Sequence, residues 1–205
     1  MGNLDLRFYK ENDSMRTMTN EDLLNSIKKI LHGHNLDDGI WLFSYGSLMW
    51  NPDFEMVEKI SGEIEGYHRK LCLKSLVYRG TPDYHGLVFG LEIGYSCQGM
   101  CFRIAPEKIK TELMKVWERE MFADTYIPKW IKVKTNRAYI YAVTFVINNK
   151  HDHYLPNLEF NEVVERVVRA KGKMGSCNDY VKNTLKHLKK FGLRDKHLER
   201  LLDFI

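Results

Sequence analysis

Apolar residues first recur at helical spacing at Leu23, Leu24, Ile27, Ile30 and Leu31, and Thr19, three residues ahead of Asp22, supplies a capping signature in front of them. Gly33 closes that helix, and His32 to Gly39 reads as a loop. The middle of the chain changes rhythm. Runs rich in aromatic and β-branched residues, bounded by Gly or Pro, predict strands over Trp41–Tyr45, Leu71–Tyr78, Gly86–Ile93, Gln98–Ile104, Trp130–Lys134 and Arg137–Ile147. A helix interrupts them where Pro106 suits the first helical position, and its pattern continues to Met121. Three helices then finish the chain. The first runs from Leu158 to Ala170 and is stopped by Gly172; the second opens on Ser176 and Asp179 and is stopped by Gly192; the third is capped by Asp195. Strands in a block, one inserted helix, then helices in a block predict an α+β domain with a mainly antiparallel sheet that closes into a small β-barrel.

Length and composition add bounds to this pattern. At 205 residues, with 44% hydrophobic and 28% charged residues, one domain with an ordinary core is expected, and whole-chain disorder or coiled coil is excluded. The balance of 31 Lys plus Arg against 27 Asp plus Glu gives +4, which points to no polyanionic partner. Cys72, Cys97, Cys101 and Cys177 form no metal-finger spacing and read as free thiols. No signal peptide or membrane-length apolar run is visible, so a cytoplasmic location is expected. Gly2 stands where myristoylation needs it, but Leu6 replaces the required Ser or Thr.

Chemistry narrows to a few places. Rotating about 100° per residue from Pro106 puts Ile109, Leu113, Val116, Trp117 and Glu120 on one face, with Glu118 opposite. A carboxylate in that apolar stripe has a raised pKa and can accept and return a proton near neutral pH. The same carboxylate could instead snorkel at the helix end or pair with Arg119 or Arg103, and periodicity leaves both readings open. After the first strand, Tyr45-Gly46-Ser47-Leu48 can aim successive backbone N–H groups into one concavity suited to a carboxylate, or can be an ordinary turn. It is no nucleophile elbow, and Gly86, Gly90 and Gly94 match no nucleotide-binding loop. His151-Asp152-His153 and the Cys97/Cys101 pair are the best metal candidates, and both read better as a solvated turn and as core. Lys182, Lys186, Lys189, Lys190, Arg194 and Lys196 read as a solvated helix face rather than a nucleic-acid surface.

Taken together, these segments resemble the ChaC-type γ-glutamylcyclotransferases, in their bacterial-like form. The resemblance is carried by Trp41 through Pro52, Gly66-Tyr67-His68-Arg69, Arg79-Gly80-Thr81-Pro82, Trp117-Glu118-Arg119-Glu120-Met121, Tyr126 through Trp130, Tyr154-Leu155-Pro156, and Gly172 through Ser176 ahead of Tyr180. It divides the chain into an N-terminal extension with one helix, residues 1–35, and a catalytic domain, residues 36–205. It implies a small barrel flanked by helices and an enzyme that splits glutathione into 5-oxoproline and cysteinylglycine without a cofactor or metal. By the family's pattern Glu120 is the catalytic residue, Tyr45, Gly46, Ser47 and Leu48 hold the γ-glutamyl α-carboxylate and amine, and Arg79 and Tyr154 lie near the pocket, with Tyr126 matched by its neighbourhood alone. The implied partner is the small molecule glutathione, with no nucleic acid or membrane, and the chain is expected to act as a monomer or weak dimer. Action on other γ-glutamyl peptides or amines, and a non-catalytic role in regulating cation transport, are the alternatives that the resemblance leaves.

Overall fold

The computed structural model describes residues 17–205, so Gly2 and the polar segment around it lie outside the described residues. Helix α1 (Asn20–Leu31) opens on the anticipated capping box, in which the Thr19 hydroxyl accepts from the Asp22 N–H at 3.1 Å and the Asp22 carboxylate accepts from the Thr19 N–H at 2.9 Å. Strand β1 (Ile40–Ser44) follows, then a 3-10 turn over Ser47–Met49, the long strands β2 (Glu58–Ser75) and β3 (Gly86–Ile104), and helix α2 (Ile109–Glu120), led in by a 3-10 turn at Pro106–Lys108. After β4 (Tyr126–Thr135) and β5 (Tyr139–Ile147) come α3 (Phe160–Arg169), a short hairpin of β6 (Lys171–Gly172) and β7 (Gly175–Ser176), α4 (Cys177–Lys190) and α5 (Lys196–Leu202).

The five long strands close into a barrel in the order β1-β3-β2-β4-β5. Four of its seams are antiparallel, and the fifth closes the ring by parallel pairing of β1 with β5 at Leu42 and Val143. Two outcomes differ from expectation. The runs Gly86–Ile93 and Gln98–Ile104 are one strand, and the strand expected over Leu71–Tyr78 begins at Glu58 and ends at Ser75. Residues 58–70 carry seven charged side chains, on Glu58, Lys59, Glu63, Glu65, Arg69, Lys70 and, when protonated, His68, so their inward apolar positions are too sparse to show an alternation.

That alternation is also interrupted. Ile64 is fully buried on β2, and an unbroken strand would turn His68 and Lys70 inward with it. A bulge between Glu65 and Tyr67, with Gly66 at φ +80°, adds one residue and sends Arg69 and Leu71 inward instead. Opposite each other on β2 and β3, Gly62 and Gly99 let neighbouring strands approach. A Cβ on Gly99 would lie 2.4 Å from the Ser44 carbonyl oxygen and 2.8 Å from the Phe43 ring.

Helix α2 lays its apolar face on the barrel, with Leu113 and Trp117 fully buried and the Trp117 ring edge-on to Phe145 at 5.0 Å. Helix α1 braces α2 from outside: Trp117 Nε1 donates to Ser26 Oγ (3.0 Å), and Leu23 and Ile27 join the same core. The Met18 N–H, just ahead of α1, donates to the Phe122 carbonyl at 3.0 Å, tying down the chain that leaves α2. None of the described helices is long and apolar enough to cross a membrane.

Because a side chain at Gly99 would push on the last residues of β1, Gly99→Ala is expected to lower stability by about 1–3 kcal/mol, the usual range for overpacking. Urea denaturation followed by circular dichroism measures it.

Candidate active site

Glu120 is the last residue of α2, where the apolar stripe formed by Ile109, Leu113, Val116 and Trp117 runs out. Its side chain retains 17% exposure, and burial raises its pKa, opposed by the positive charge of Arg119, whose Nε lies 3.3 Å from Oε1. No hydrogen bond to this carboxylate forms among the described residues. The same helix carries a second carboxylate with the opposite character. Glu112 is 2% exposed, yet its carboxylate accepts from the Glu55 N–H (2.9 Å) and from Lys115 Nζ (2.8 Å). Those partners outweigh the burial and hold its pKa below the usual value. Two glutamates on one helix are thus driven apart by their surroundings, and the one without hydrogen-bond partners is the one whose proton affinity is raised.

Glu120 both continues the apolar stripe of α2 and is paired. Its partner is Arg119, while Arg103 is engaged elsewhere, with Glu58 at 3.1 Å and the Asp38 carbonyl at 3.0 Å. Arg119 also reaches across to the turn after β1. Its Nη2 donates to Ser47 Oγ (2.8 Å) and its Nη1 to the Asn51 carbonyl (2.6 Å). One guanidinium therefore sets the distance between the turn and the carboxylate. Sequence reading assigned Arg119 no such role, since an arginine beside a buried-face residue ordinarily points to solvent.

The turn is a short 3-10 segment over Ser47–Met49. β1 ends at Ser44, Gly46 caps the 3-10 turn, and the Met49 N–H donates to the Gly46 carbonyl at 3.0 Å. Leu48 is buried and contributes backbone, while Ser47 Oγ accepts from Arg119 and keeps its own proton to donate. The first N–H groups of such a turn have no intrahelical acceptor. A Cβ on Gly46 would stand 3.4 Å from the Tyr180 hydroxyl, so glycine keeps this backbone approachable.

Four tyrosines feel the charge of Glu120. Burial raises the pKa of Tyr45, Tyr78, Tyr126 and Tyr180, and the Glu120 charge raises each further. Tyr45 Oη donates to the Phe145 carbonyl (2.8 Å) and Tyr126 Oη to the Phe89 carbonyl (2.7 Å), so both hydroxyls are committed to the barrel wall. Tyr180 Oη accepts from the Phe89 N–H (3.2 Å), which leaves its own proton for another acceptor. Tyr78 and Tyr180 were not among the site residues expected from sequence; one lies in an irregular loop and the other on a helix more than 50 residues away, so neither carries a local signal.

Arg79 and Tyr154 are placed differently from Glu120's immediate neighbours. Arg79 Nη1 donates to the Met174 carbonyl (2.5 Å) at the tip of the β6–β7 hairpin, and the guanidinium lies over the Tyr180 ring at 5.3 Å. It thereby braces Tyr180. Tyr154 donates its hydroxyl to Glu92, which also accepts from Lys70 Nζ (2.8 Å), and the carboxylate acting on its pKa is that of Glu92. Elsewhere, the His151 Nδ1 accepts from the His153 N–H at 3.1 Å, and Cys97 and Cys101 are free and buried. Among the described residues no three His, Cys, Asp or Glu side chains are grouped to hold a metal ion. Lys182, Lys186, Lys189 and Lys190 are solvated along α4, and Arg194 pairs with Glu199 at 2.8 Å.

The five-stranded closed barrel flanked by helices is the fold of the γ-glutamyl cyclotransferases. It aligns with the crystal structure of a γ-glutamyl cyclotransferase specific to glutathione from yeast at a TM-score of 0.75, with 18% identity over 82% of this chain and 95% of that one. Residues 40–205 match the family described as ChaC-like protein, and the chain belongs to that family. Among its relatives, the glutathione-specific γ-glutamylcyclotransferase of Escherichia coli (strain K12) is 32% identical over 81% of this chain and 73% of that protein. Gamma-glutamylcyclotransferase 2-3 of Arabidopsis thaliana is 29% identical over 79% of this chain and 86% of that protein.

Arg119 lowers the Glu120 pKa against burial, so Arg119→Met is expected to move the Glu120 titration to still higher pH. Carboxyl-carbon NMR of the two proteins across pH 3–9 (roughly the range that brackets carboxylate shifts) measures the shift.

Proposed function

We propose that this protein is a glutathione-specific γ-glutamylcyclotransferase in which Glu120 is the general acid and base. The observation that carries the reading is the placement of a partly desolvated carboxylate, joined through Arg119, beside the Tyr45–Leu48 turn. The turn holds the γ-glutamyl end of the substrate: backbone N–H groups and the Ser47 hydroxyl meet the α-carboxylate, and the α-amine faces Glu120. Tyr180 Oη, with a proton to give, stands beside Gly46, where a developing charge on the γ-carbonyl oxygen needs a donor.

The chemistry needs no protein nucleophile. Glu120 takes a proton from the neutral α-amine as its nitrogen attacks the γ-carbonyl carbon, the carbonyl π electrons move onto oxygen, and the five-membered ring closes to a tetrahedral adduct. The protonated Glu120 then gives that proton to the leaving nitrogen as the γ-glutamyl amide bond breaks. The products are 5-oxoproline and cysteinylglycine, and the carboxylate is restored. A carboxyl group of raised pKa suits both halves, because it must be ionised before attack and acidic enough to protonate the leaving amine. Ring closure is intramolecular, and holding the chain folded can contribute an effective molarity of about 10⁵ M or more. Arg79 and Tyr154 support the pocket from outside the reacting atoms in this reading. Four free, buried thiols suit a reducing compartment such as the cytoplasm, and the protein works there as a monomer or weak dimer without nucleic acid.

The purified protein is expected to release 5-oxoproline from glutathione with no added nucleotide or metal, as followed by chromatography of the product. Glu120→Gln is expected to retain the circular dichroism of the wild type and to lose turnover by at least about a hundredfold, the low end for a general base. Full activity in that variant contradicts the mechanism. Cyclisation of γ-glutamyl-alanine with glutathione left untouched keeps the reaction and overturns the substrate.

A further inference from the structure

Arg69 is an arginine with 1% of its side chain exposed, turned inward by the Gly66 bulge. Each of its three nitrogens has one acceptor, and the acceptors belong to three separate parts of the chain. Nε donates to the Tyr45 carbonyl (2.5 Å), Nη2 to the Gln98 carbonyl (2.6 Å) on β3, and Nη1 to Asp195 Oδ2 (2.5 Å). Asp195 divides its two oxygens. Oδ1 caps α5 by accepting from the His197 and Leu198 N–H groups, both at 3.1 Å, and Oδ2 holds the guanidinium.

The Tyr45 carbonyl is the feature that links this cluster to chemistry. It belongs to the peptide group that also contains the Gly46 N–H, and no peptide bond among the described residues is cis. In a planar trans peptide the C=O and the N–H point in opposite directions. Fixing the Tyr45 oxygen on Arg69 therefore fixes the Gly46 N–H away from Arg69. A charge-assisted bond at the oxygen also polarises the whole peptide group, which makes its N–H a stronger donor.

We propose that Arg69, held by Asp195, is a positioning residue for the reaction: it sets the Tyr45–Gly46 peptide plane so that the Gly46 N–H is presented to the substrate's γ-glutamyl end. The inference rests on the assignment of the Tyr45–Leu48 turn as the substrate-binding turn. It makes the C-terminal helix α5 part of the active-site frame, through a side chain that never touches substrate. A buried arginine with a purely structural role would equally staple β2 to β3 and α5, but its loss would not discriminate between KM and kcat, nor act on the turn more than on the rest of the barrel.

Asp195→Asn separates the two. Asparagine keeps a capping oxygen for α5, so the helix start survives while the charge on the Arg69 partner goes. Asp195→Ser, also a capping residue, serves if the first variant does not fold. Thr19→Ala is the control, because it removes a cap of similar worth from α1 and touches neither Arg69 nor the turn. Relative to wild type, Asp195→Asn is expected to raise KM for glutathione about tenfold, equivalent to ~1.4 kcal/mol, with kcat changed less than about twofold. Amide hydrogen exchange of Met49, Trp50 and Asn51, whose N–H groups donate to Gly46 and Ser47 carbonyls, is expected to quicken selectively in the same variant. A variant that matches Thr19→Ala in both KM and turn exchange at equal loss of Tm overturns the proposal. The exchange measurement needs no substrate, so inertness of the wild type toward glutathione would contradict the proposed function and leave the Arg69 link to be decided by exchange alone.

Discussion

The guanidinium of Arg119 joins a backbone turn to a carboxylate that water reaches poorly, and most of the molecule can be read as support for that junction. Burial pushes the Glu120 pKa up, and a full set of hydrogen-bond partners, such as Glu112 has on the same helix, would pull it down. One cation at 3.3 Å, shared with Ser47 and Asn51, leaves the carboxyl between those limits. The arrangement couples geometry to proton affinity: any movement of the turn changes the field at Glu120, and any movement of α2 changes the turn.

The barrel exists in this account to hold β1 and α2 in register. β1 is hydrogen-bonded to β3 along its whole length, and its last residue is approached closely by Gly99, so the strand delivers Tyr45 and Gly46 to a fixed point. The apolar stripe of α2 sits on the outer wall, with Trp117 against Phe145, and α1 and the Met18–Phe122 hydrogen bond press it there. Helix α1 thus shares the core of the rest of the chain. The tyrosine hydroxyls of the site are spent mostly on barrel carbonyls, which makes the lining stiff and leaves Tyr180 with a proton to offer.

Much of this was legible in the sequence, and the exceptions share a cause. Helices with caps and stripes were readable, as the Thr19, Ser176 and Asp195 caps show, because their signals are local. Glu120 was readable as a candidate from helical rotation, since a carboxylate in line with Leu113, Val116 and Trp117 breaks the stripe. The first half of β2 was not, because its outward side chains are charged and a bulge at Gly66 changes which residues face in. Arg119, Arg69 and Tyr180 were missed as site groups because their partners lie 72, 126 and 91 residues away in sequence, a separation over which no periodicity operates. Arg79 and Tyr154 illustrate the converse: the resemblance marked their positions, but only side-chain geometry shows Arg79 spent on the Met174 carbonyl and Tyr154 on Glu92.

In the proposed reaction the Glu120 carboxylate is the base, and burial tunes its pKa upward. A base must be ionised, so activity falls as pH drops through the folded-state pKa, which here lies above the ordinary 4.5. The most direct measurement is the pH dependence of kcat/KM for glutathione set beside the titration of the Glu120 carboxyl in the free protein. The account predicts an acid limb that coincides with that titration and lies above 4.5. An acid limb at or below the ordinary carboxylate value, or one that departs from the Glu120 titration, would contradict it.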